Sequence, residues 1–491
     1  MPPQRPRPIL APSSRIGLLV GALIFAATLI LPPPGGLPVA GWQTLGLALM
    51  MAIWWSTEPV PMGATALMPL IVLPLLGIGD VTAAAQPYSN PLVFLFLGGF
   101  LLAAAVKRWG LHRRMAFWTI RAIGMEPRRL VLGFMVASGF LSMWISNTAA
   151  VVLMLPVAVS IVSVMEEGST DAAATRRFAL ALLLGLAYAA SIGGVGTLIG
   201  TPPNALLAGY LLESHGIDLS FAAWSAVGVP LVVVFLPLGW LILTRLLFPI
   251  GAELSEAGGK HDALARLAES GAITAAEKRV ALVFFIAAGL WITRPLLNNL
   301  PGLSGLSDPG IALACAFALF LIPSGMAEDR RFLMSWEEAK GIPWEVLLLF
   351  GGGLSLAAAM DRSGLAIWIG EALSAVGGLP PLVFLLLLTA TVVMLTELAS
   401  NTAAVAALLP IVATIAAATG MDVVTISAAV AMAASCAFML PVATPPNALV
   451  FASGHVRVAD MVRAGIVMNV VSVLLVSAAA LALQPLMPVA G

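Results

Sequence analysis

The chain has 491 residues; 60% are hydrophobic, 10% are charged, and 24 basic residues balance 24 acidic ones. Soluble domains average about 45–50% apolar and about 25% charged residues, so a soluble globular protein is excluded; the zero net charge itself says nothing about partners, and no nucleic-acid partner is expected. Eleven apolar runs (16–32, 38–55, 62–79, 91–106, 178–199, 224–248, 280–299, 309–323, 344–360, 424–443 and 464–484) approach the length of a spanning helix, which predicts an all-α polytopic membrane protein with about eleven transmembrane helices.

In chain order, residues 1–36 hold an N-terminal segment and a first helix. Run 16–32 lacks a small-residue cleavage site and reads as a retained span, not a signal peptide. Residues 37–250 form a first repeat, with a re-entrant hairpin at 131–160 and a broken helix at 178–212. Residues 251–279 are a cytoplasmic linker. Residues 280–491 form a second repeat, with a hairpin at 384–416 and a broken helix at 424–452.

Between 107 and 129 lie seven basic residues with Trp109, Leu111, Met115, Phe117 and Trp118 among them, the mark of an amphipathic helix on the membrane surface. Cys315 and Cys436 sit in apolar runs and read as core residues. His112, His215, His261 and His455 all read as lying in polar connections, with no His–Cys–carboxylate cluster for a metal enzyme. Glu58 and Glu345 sit near span ends and read as structural.

The basic residues sort the chain across the membrane. With a cytoplasmic N-terminus, and with 131–160 and 384–416 entering without crossing, nearly all Lys and Arg fall on one side. Only Arg294 and Arg362 fall on the other. The positive-inside rule makes the basic side cytoplasmic, and full crossing by 131–160 would destroy that bias.

Residues 96–156 and 350–410 align without a gap at a constant offset of 254. Gly98-Gly99 meet Gly352-Gly353, Gly110-Leu111 meet Gly364-Leu365, and SNTAAV at 146–151 meets SNTAAV at 400–405. TPPNAL follows at 201–206 and again at 444–449. This is an internal duplication. Residues 107–129 carry seven basic groups, whereas 361–383 carry Arg362 alone, so the copies lie in opposite orientations. Inverted repeats of this kind are a signature of secondary transporters with a midplane site.

Irregular backbone survives in hydrocarbon only where protein or a water-filled cavity surrounds it. Ser-Asn-Thr suits a hairpin tip because these side chains compete for local backbone bonds. Pro-Pro removes two donors and breaks a helix. The break exposes a partially positive helix start, which favours an anion, and a carbonyl end, which favours a cation. Hydroxyls and carboxamides donate to carboxylates, and their oxygens ligate Na⁺. Taken singly, such a motif reads as well as a mere kink, or as hydroxyls bonded to their own helix, as it does as a binding site; two matched pairs in an inverted repeat favour the binding site. The stretch IGGVGTLIG at 192–200 lacks the ending of a nucleotide-binding loop and reads as close packing plus a break. Glu397, three residues before Ser400, has two readings: a functional acid at membrane depth, or a carboxylate capping the hairpin.

At FLGGFLLAAAVKRWGLHRR, IPWEVLLLFGGG, TELASNTA, both SNT tips, GTPPNA and ATPPNA, the chain resembles the divalent anion/sodium symporter family over nearly its whole length. The resemblance implies an elevator-type homodimer, with a scaffold domain at about 16–130 and 280–383 and a transport domain at about 131–250 and 384–491. It implies a first Na⁺ site at Ser142, Ser146, Asn147 and the Gly200 carbonyl, and a second at Thr396, Ala399, Asn401 and the Ala443 carbonyl. Substrate would be held by Asn147, Thr148, Asn401 and Thr402, with Thr201, Thr444 and Pro445 lining the site.

Neither tip and neither TPPN loop contains Lys or Arg, so at least two Na⁺ would have to neutralise a dianion. The expected function is Na⁺-coupled symport of C4-dicarboxylates (succinate, malate, fumarate) across the cell membrane. Sulfate or citrate symport and dicarboxylate exchange are the alternatives. A membrane-embedded enzyme would need a nucleophile–base pair or an acidic metal cluster within the spans, and neither is visible.

Overall fold

The computed structural model describes residues 12–124, 126–168, 171–251, 272–325, 331–373 and 380–483. Most of the expected linker, His261, Lys260, Arg266, Arg330 and the basic residues Arg5 and Arg7 lie outside them. Among the described residues the fold is helical, apart from one bridge between Pro323 and Phe332. Seven helices are long and apolar enough to cross a membrane, and six shorter ones are also apolar.

The chain opens with α1 (Pro12–Ile30), α2 (Val39–Thr57), α3 (Met62–Thr65), α4 (Met68–Leu75) and α5 (Val81–Ala85). The first copy of the duplicated unit follows: α6 (Pro91–Arg108), α7 (Leu111–Ile123), α8 (Pro127–Ser142), α9 (Asn147–Gly168), α10 (Ala172–Gly194), α11 (Pro202–His215) and α12 (Phe221–Leu241). Next come α13 (Ala275–Leu297), α14 (Asp308–Leu321) and α15 (Trp336–Ala339). The second copy is α16 (Trp344–Arg362), α17 (Leu365–Leu373), α18 (Pro381–Thr396), α19 (Asn401–Thr419), α20 (Val423–Ala434), α21 (Pro445–Ala452) and α22 (Val458–Leu483).

Local chemistry explains why both copies fold alike. Gly110 and Gly364, equivalent in the duplication, both adopt left-handed backbone, with φ of 74° and 75°, and turn the chain into α7 and α17 without a Cβ penalty. Asp171 and Asp422 cap α10 and α20, accepting backbone N–H bonds from Ala174 at 2.9 Å and Thr425 at 2.8 Å. The paired prolines start α11 and α21, where a missing N–H costs nothing. Packing repeats as well: α8 lies on α10 as α18 lies on α20, and α10 on α12 as α20 on α22.

Three expectations are corrected. The run 62–79 does not form one span but the short helices α3 and α4, with Pro69 and Pro74 in the second. The carbonyl of Ala66, freed between them, accepts the Tyr88 hydroxyl and lies against Gly352, where a Cβ would collide with it. His112 does not lie in a polar connection; it is in α7 and 2% exposed. The basic surface helix is also less solvated than its composition suggests. Arg114 is buried and donates to both carboxylate oxygens of Glu277, at 3.1 and 3.2 Å, a two-pronged geometry that suits a guanidinium. The Thr274–Glu277 capping box holds that carboxylate from its other side.

Candidate functional site

The first tip is the turn 143–146 between α8 and α9. Ser142 closes α8 fully buried, and its Oγ donates to Asn147 Oδ1 at 2.6 Å. The Asn147 carboxamide lies on Gly194 at the end of α10, where a Cβ would come within 2.6 Å of Oδ1. Gly200 presses against the same cluster: its Cβ would lie 3.0 Å from the Ser142 carbonyl oxygen and 2.5 Å from that of Gly194. A Cβ on Gly193 would strike the backbone of Gly139. These glycines admit the tip onto bare backbone, so Ser142, Asn147 and Gly200 are brought together around a patch of oxygen atoms. Ser146 is exposed, and its Oγ accepts the Ala149 N–H at 3.3 Å, capping α9. Thr197 Oγ1 donates to the Met143 carbonyl at 2.5 Å, tying the tip to the break in the following helix.

The second tip is the turn 397–400 between α18 and α19. Thr396 is buried, and its hydroxyl bonds to the Val392 and Val393 carbonyls of its own helix at 3.0 and 3.1 Å. Asn401 Oδ1 is buried and has no hydrogen-bond partner. Ala399 is half-buried and Ala443 buried. Glu397 is 2% exposed. Its Oε1 accepts the N–H groups of Phe438 (2.7 Å) and Met439 (2.9 Å) and the Asn469 side chain (2.8 Å), and its Oε2 accepts the N–H of Leu440 (3.0 Å). Of the two readings the sequence left open, the side chain makes the capping contacts: it accepts from three successive N–H groups of the unwound stretch after α20.

The two breaks share a brace that sequence reasoning passed over. Asn204 Nδ2 donates to the carbonyls of Gly194 (3.0 Å) and Thr197 (2.7 Å). Asn447 Nδ2 donates to those of Ala437 (3.2 Å) and Leu440 (3.1 Å). These are equivalent positions in the duplication. Each carboxamide spans its break, and each leaves a buried Oδ1 without a partner. Both asparagines were legible as the last residue of the repeated TPPN; Asn469 carries no mark in the sequence.

The remaining expected site residues lie at helix starts. Thr148 and Thr402 are half-buried in the first turns of α9 and α19. Thr201 and Thr444 are buried immediately before α11 and α21, and Thr444 Oγ1 accepts the Asn447 N–H at 3.2 Å. Thr201 makes no side-chain cap, and Pro445 is exposed. The copies cross over: α9 packs on α21, and α19 packs on α11. Each hairpin's second arm therefore lies along the half-helix started by the other copy's TPPN. Four helix starts, each at the partially positive end of its helix, belong to this region; those of α11 and α21 open on paired prolines, which carry no N–H.

The family model described as "Sodium:sulfate symporter transmembrane region" matches residues 13–488. A relative named sodium-dependent dicarboxylate transporter SdcS, from Staphylococcus saprophyticus, is 42% identical over 465 residues, covering 94% of this chain and 89% of that protein. The protein of the same name from Staphylococcus aureus strain USA300 matches to the same extent. Among solved structures, the Alcanivorax borkumensis YdaH transporter aligns with a TM-score of 0.61 at 16% identity, covering 91% of this chain and 100% of that one. Neisseria gonorrhoeae MtrF aligns with a TM-score of 0.57 at 13% identity, covering 96% and 94%. These two likenesses speak for the fold alone.

Proposed function

The chain belongs to the sodium:sulfate symporter family, and from that premise we propose that it is a secondary transporter coupling Na⁺ to the movement of C4-dicarboxylates such as succinate, malate and fumarate. The relatives that bear a dicarboxylate transporter's name support the substrate class. The observation that carries the reading is the duplicated unit of tip and break, built from hydroxyls, carboxamides, carbonyls and helix starts with no Lys or Arg in any of its four segments.

The donor set suits a hard monovalent cation, because all its ligands are oxygens. Ser142, Ser146, Asn147 and the Gly200 carbonyl would hold one Na⁺. Thr396, Ala399, Asn401 and the Ala443 carbonyl would hold another, and the unpartnered Oδ1 of Asn401 is an acceptor waiting for such an ion. Asn147, Thr148, Asn401 and Thr402 would hold the two carboxylates at the partially positive starts of α9 and α19, with Thr201, Thr444 and Pro445 as lining. A dianion in a low-dielectric site is costly unless compensated, and at least two co-bound cations supply the compensation. Both hairpins and both broken helices would travel together as a transport domain against a scaffold, in a homodimer whose N-terminus is cytoplasmic.

Uptake of labelled succinate into proteoliposomes tests this. An inward Na⁺ gradient should drive accumulation, and malate and fumarate should compete better than citrate or sulfate. Uptake indifferent to Na⁺ but dependent on internal dicarboxylate would make the protein an exchanger and overturn the proposal.

A further inference from the structure

A cavity of about 650 Å³ opens between α7, α8, α9 and the first turn of α13, and none of the residues assigned to Na⁺ or substrate lines it. One wall is apolar, with Phe134 and Leu141 from α8 and Val152, Met154 and Val157 from α9. Phe134 and Leu141 are buried, and the accessible apolar surface is on α9, where Val152 is exposed and Leu153 and Val157 are half-buried; five positions of helix from Val152 to Val157 span roughly 8 Å, which is room for a stretch of acyl chain. The other end is polar and is formed by His112 and Arg113 at the start of α7.

The polar end lacks partners of two kinds. His112 Nδ1 lies 3.1 Å from the Val106 carbonyl oxygen. A carbonyl only accepts, so Nδ1 carries the hydrogen. Burial, reinforced by the charges of Arg113 and Lys107 and opposed by the Val106 bond, lowers the pKa below its ordinary 6.5. The ring is therefore neutral near pH 7, and Nε2 offers a lone pair. That nitrogen is buried and has no partner, so the site calls for an O–H or N–H donor. The next residue, Arg113, is exposed and makes no hydrogen bond or ion pair with a described residue, so the site also calls for an anion. Glu277 lines the cavity too, but Arg114 engages both its carboxylate oxygens, so it does not confront that anion as an unpaired charge. Lys107 at the end of α6 and Arg121 on α7 add positive charge, and Trp118 on α7 is 53% exposed, as on a helix lying at a lipid interface.

We propose that this cavity binds an anionic phospholipid whose headgroup carries a free hydroxyl, as phosphatidylglycerol does. The phosphate sits on Arg113, a headgroup hydroxyl donates to His112 Nε2, and an acyl chain lies along Val152, Leu153 and Val157. The lipid wedges the surface helix against the first hairpin.

Native mass spectrometry of the purified full chain, with added lipids, reads the binding directly and does not depend on transport. Phosphatidylglycerol should be retained roughly tenfold more tightly than phosphatidylcholine, which lacks net charge, and more tightly than phosphatidylmethanol, which is anionic without a hydroxyl. Arg113→Gln, a change at an exposed position, should abolish the preference over phosphatidylcholine. His112→Phe should abolish the preference over phosphatidylmethanol. Equal retention of all three lipids by the unaltered protein, or preferences that survive both substitutions, would overturn the proposal. Displacement of the lipid by millimolar glycerol 3-phosphate would also overturn it, by showing a site for a soluble phosphate.

Discussion

Asn204→Leu and Asn447→Leu test whether the unwound segments are held in shape by the carboxamides that span them. Each substitution keeps the number and branching of side-chain heavy atoms and removes two hydrogen bonds, those of Asn204 at 3.0 and 2.7 Å and those of Asn447 at 3.2 and 3.1 Å. A neutral bond of this kind contributes about 1 kcal/mol, and a buried acceptor stranded without any donor costs about 1–3 kcal/mol. Two carbonyls are affected at each site, while loss of the unpartnered Oδ1 returns about 1 kcal/mol. The net loss is about 2 kcal/mol per site. If it falls on the preorganisation of the Gly200 or Ala443 carbonyl, Na⁺ affinity drops by about 30-fold. Asn204→Leu should be the worse of the pair, since its bonds are shorter. Asn→Asp at either position should be worse still, because it turns a donor towards two carbonyls into another acceptor. The assay is a Na⁺ titration of the purified protein followed by tryptophan fluorescence, which Trp144 in the first tip should report. Folded variants whose Na⁺ midpoints stay within about threefold of the unaltered protein would refute the reasoning, because the breaks would then hold their shape without the braces.

Glu397→Leu should lower the thermal midpoint sharply, with a loss of at least about 3 kcal/mol, because three backbone N–H groups and the Asn469 amide lose their acceptor. Glu397→Gln should fall between, since its one oxygen can still accept from Phe438 and Met439; an unchanged midpoint for the leucine variant would show the carboxylate is no cap. His112 gives a pH dependence of definite sign. Its folded pKa lies below the ordinary 6.5, so as pH falls through 6.5 the unfolded chain takes up a proton that the folded chain refuses. Stability should then fall by up to about 1.4 kcal/mol per pH unit until the lowered folded pKa is reached. His112→Phe should remove that component from the thermal midpoints measured between pH 7.5 and 5.5, and an unchanged slope would count against it.

The sequence revealed the spans and the repeat for physical reasons. A helix in hydrocarbon must be long and apolar, and a duplicated gene leaves its polar punctuation at fixed offsets. The tips were legible because Ser, Asn and Thr are out of place inside an apolar run. Breaks inside an apolar run were less so. Residues 62–79 contain Pro69 and Pro74, but a proline alone kinks as readily as it ends a helix. What settles the break is Tyr88 reaching the Ala66 carbonyl from a later segment. The burial of His112 and Arg114 was hidden for the same reason: Glu277 is a distant residue whose carboxylate overrides the surface pattern of α7. The hairpins also extend beyond the expected 131–160 and 384–416, since Pro127 and Pro381 start α8 and α18 earlier than the apolar pattern does.

The duplication also separates what the architecture requires from what each half can choose. Both copies tie the first residue of the tip to the unwound segment, and Met143–Thr197 stands where Glu397–Leu440 stands. In the first copy the tie runs from the Thr197 hydroxyl to a backbone carbonyl. In the second it runs from a carboxylate to backbone N–H groups. Donor and acceptor have changed places between side chain and backbone, and a carboxyl group serves in only one copy. Since the TPPN asparagine and its two carbonyl partners recur in both, the brace across the break is the shared requirement. The tie from tip to break is needed as a link, and its chemistry is free to differ. The two halves therefore repeat one backbone path but not its side-chain chemistry: the second tip carries a buried carboxyl group that the first lacks, beside the residues proposed to hold the second Na⁺.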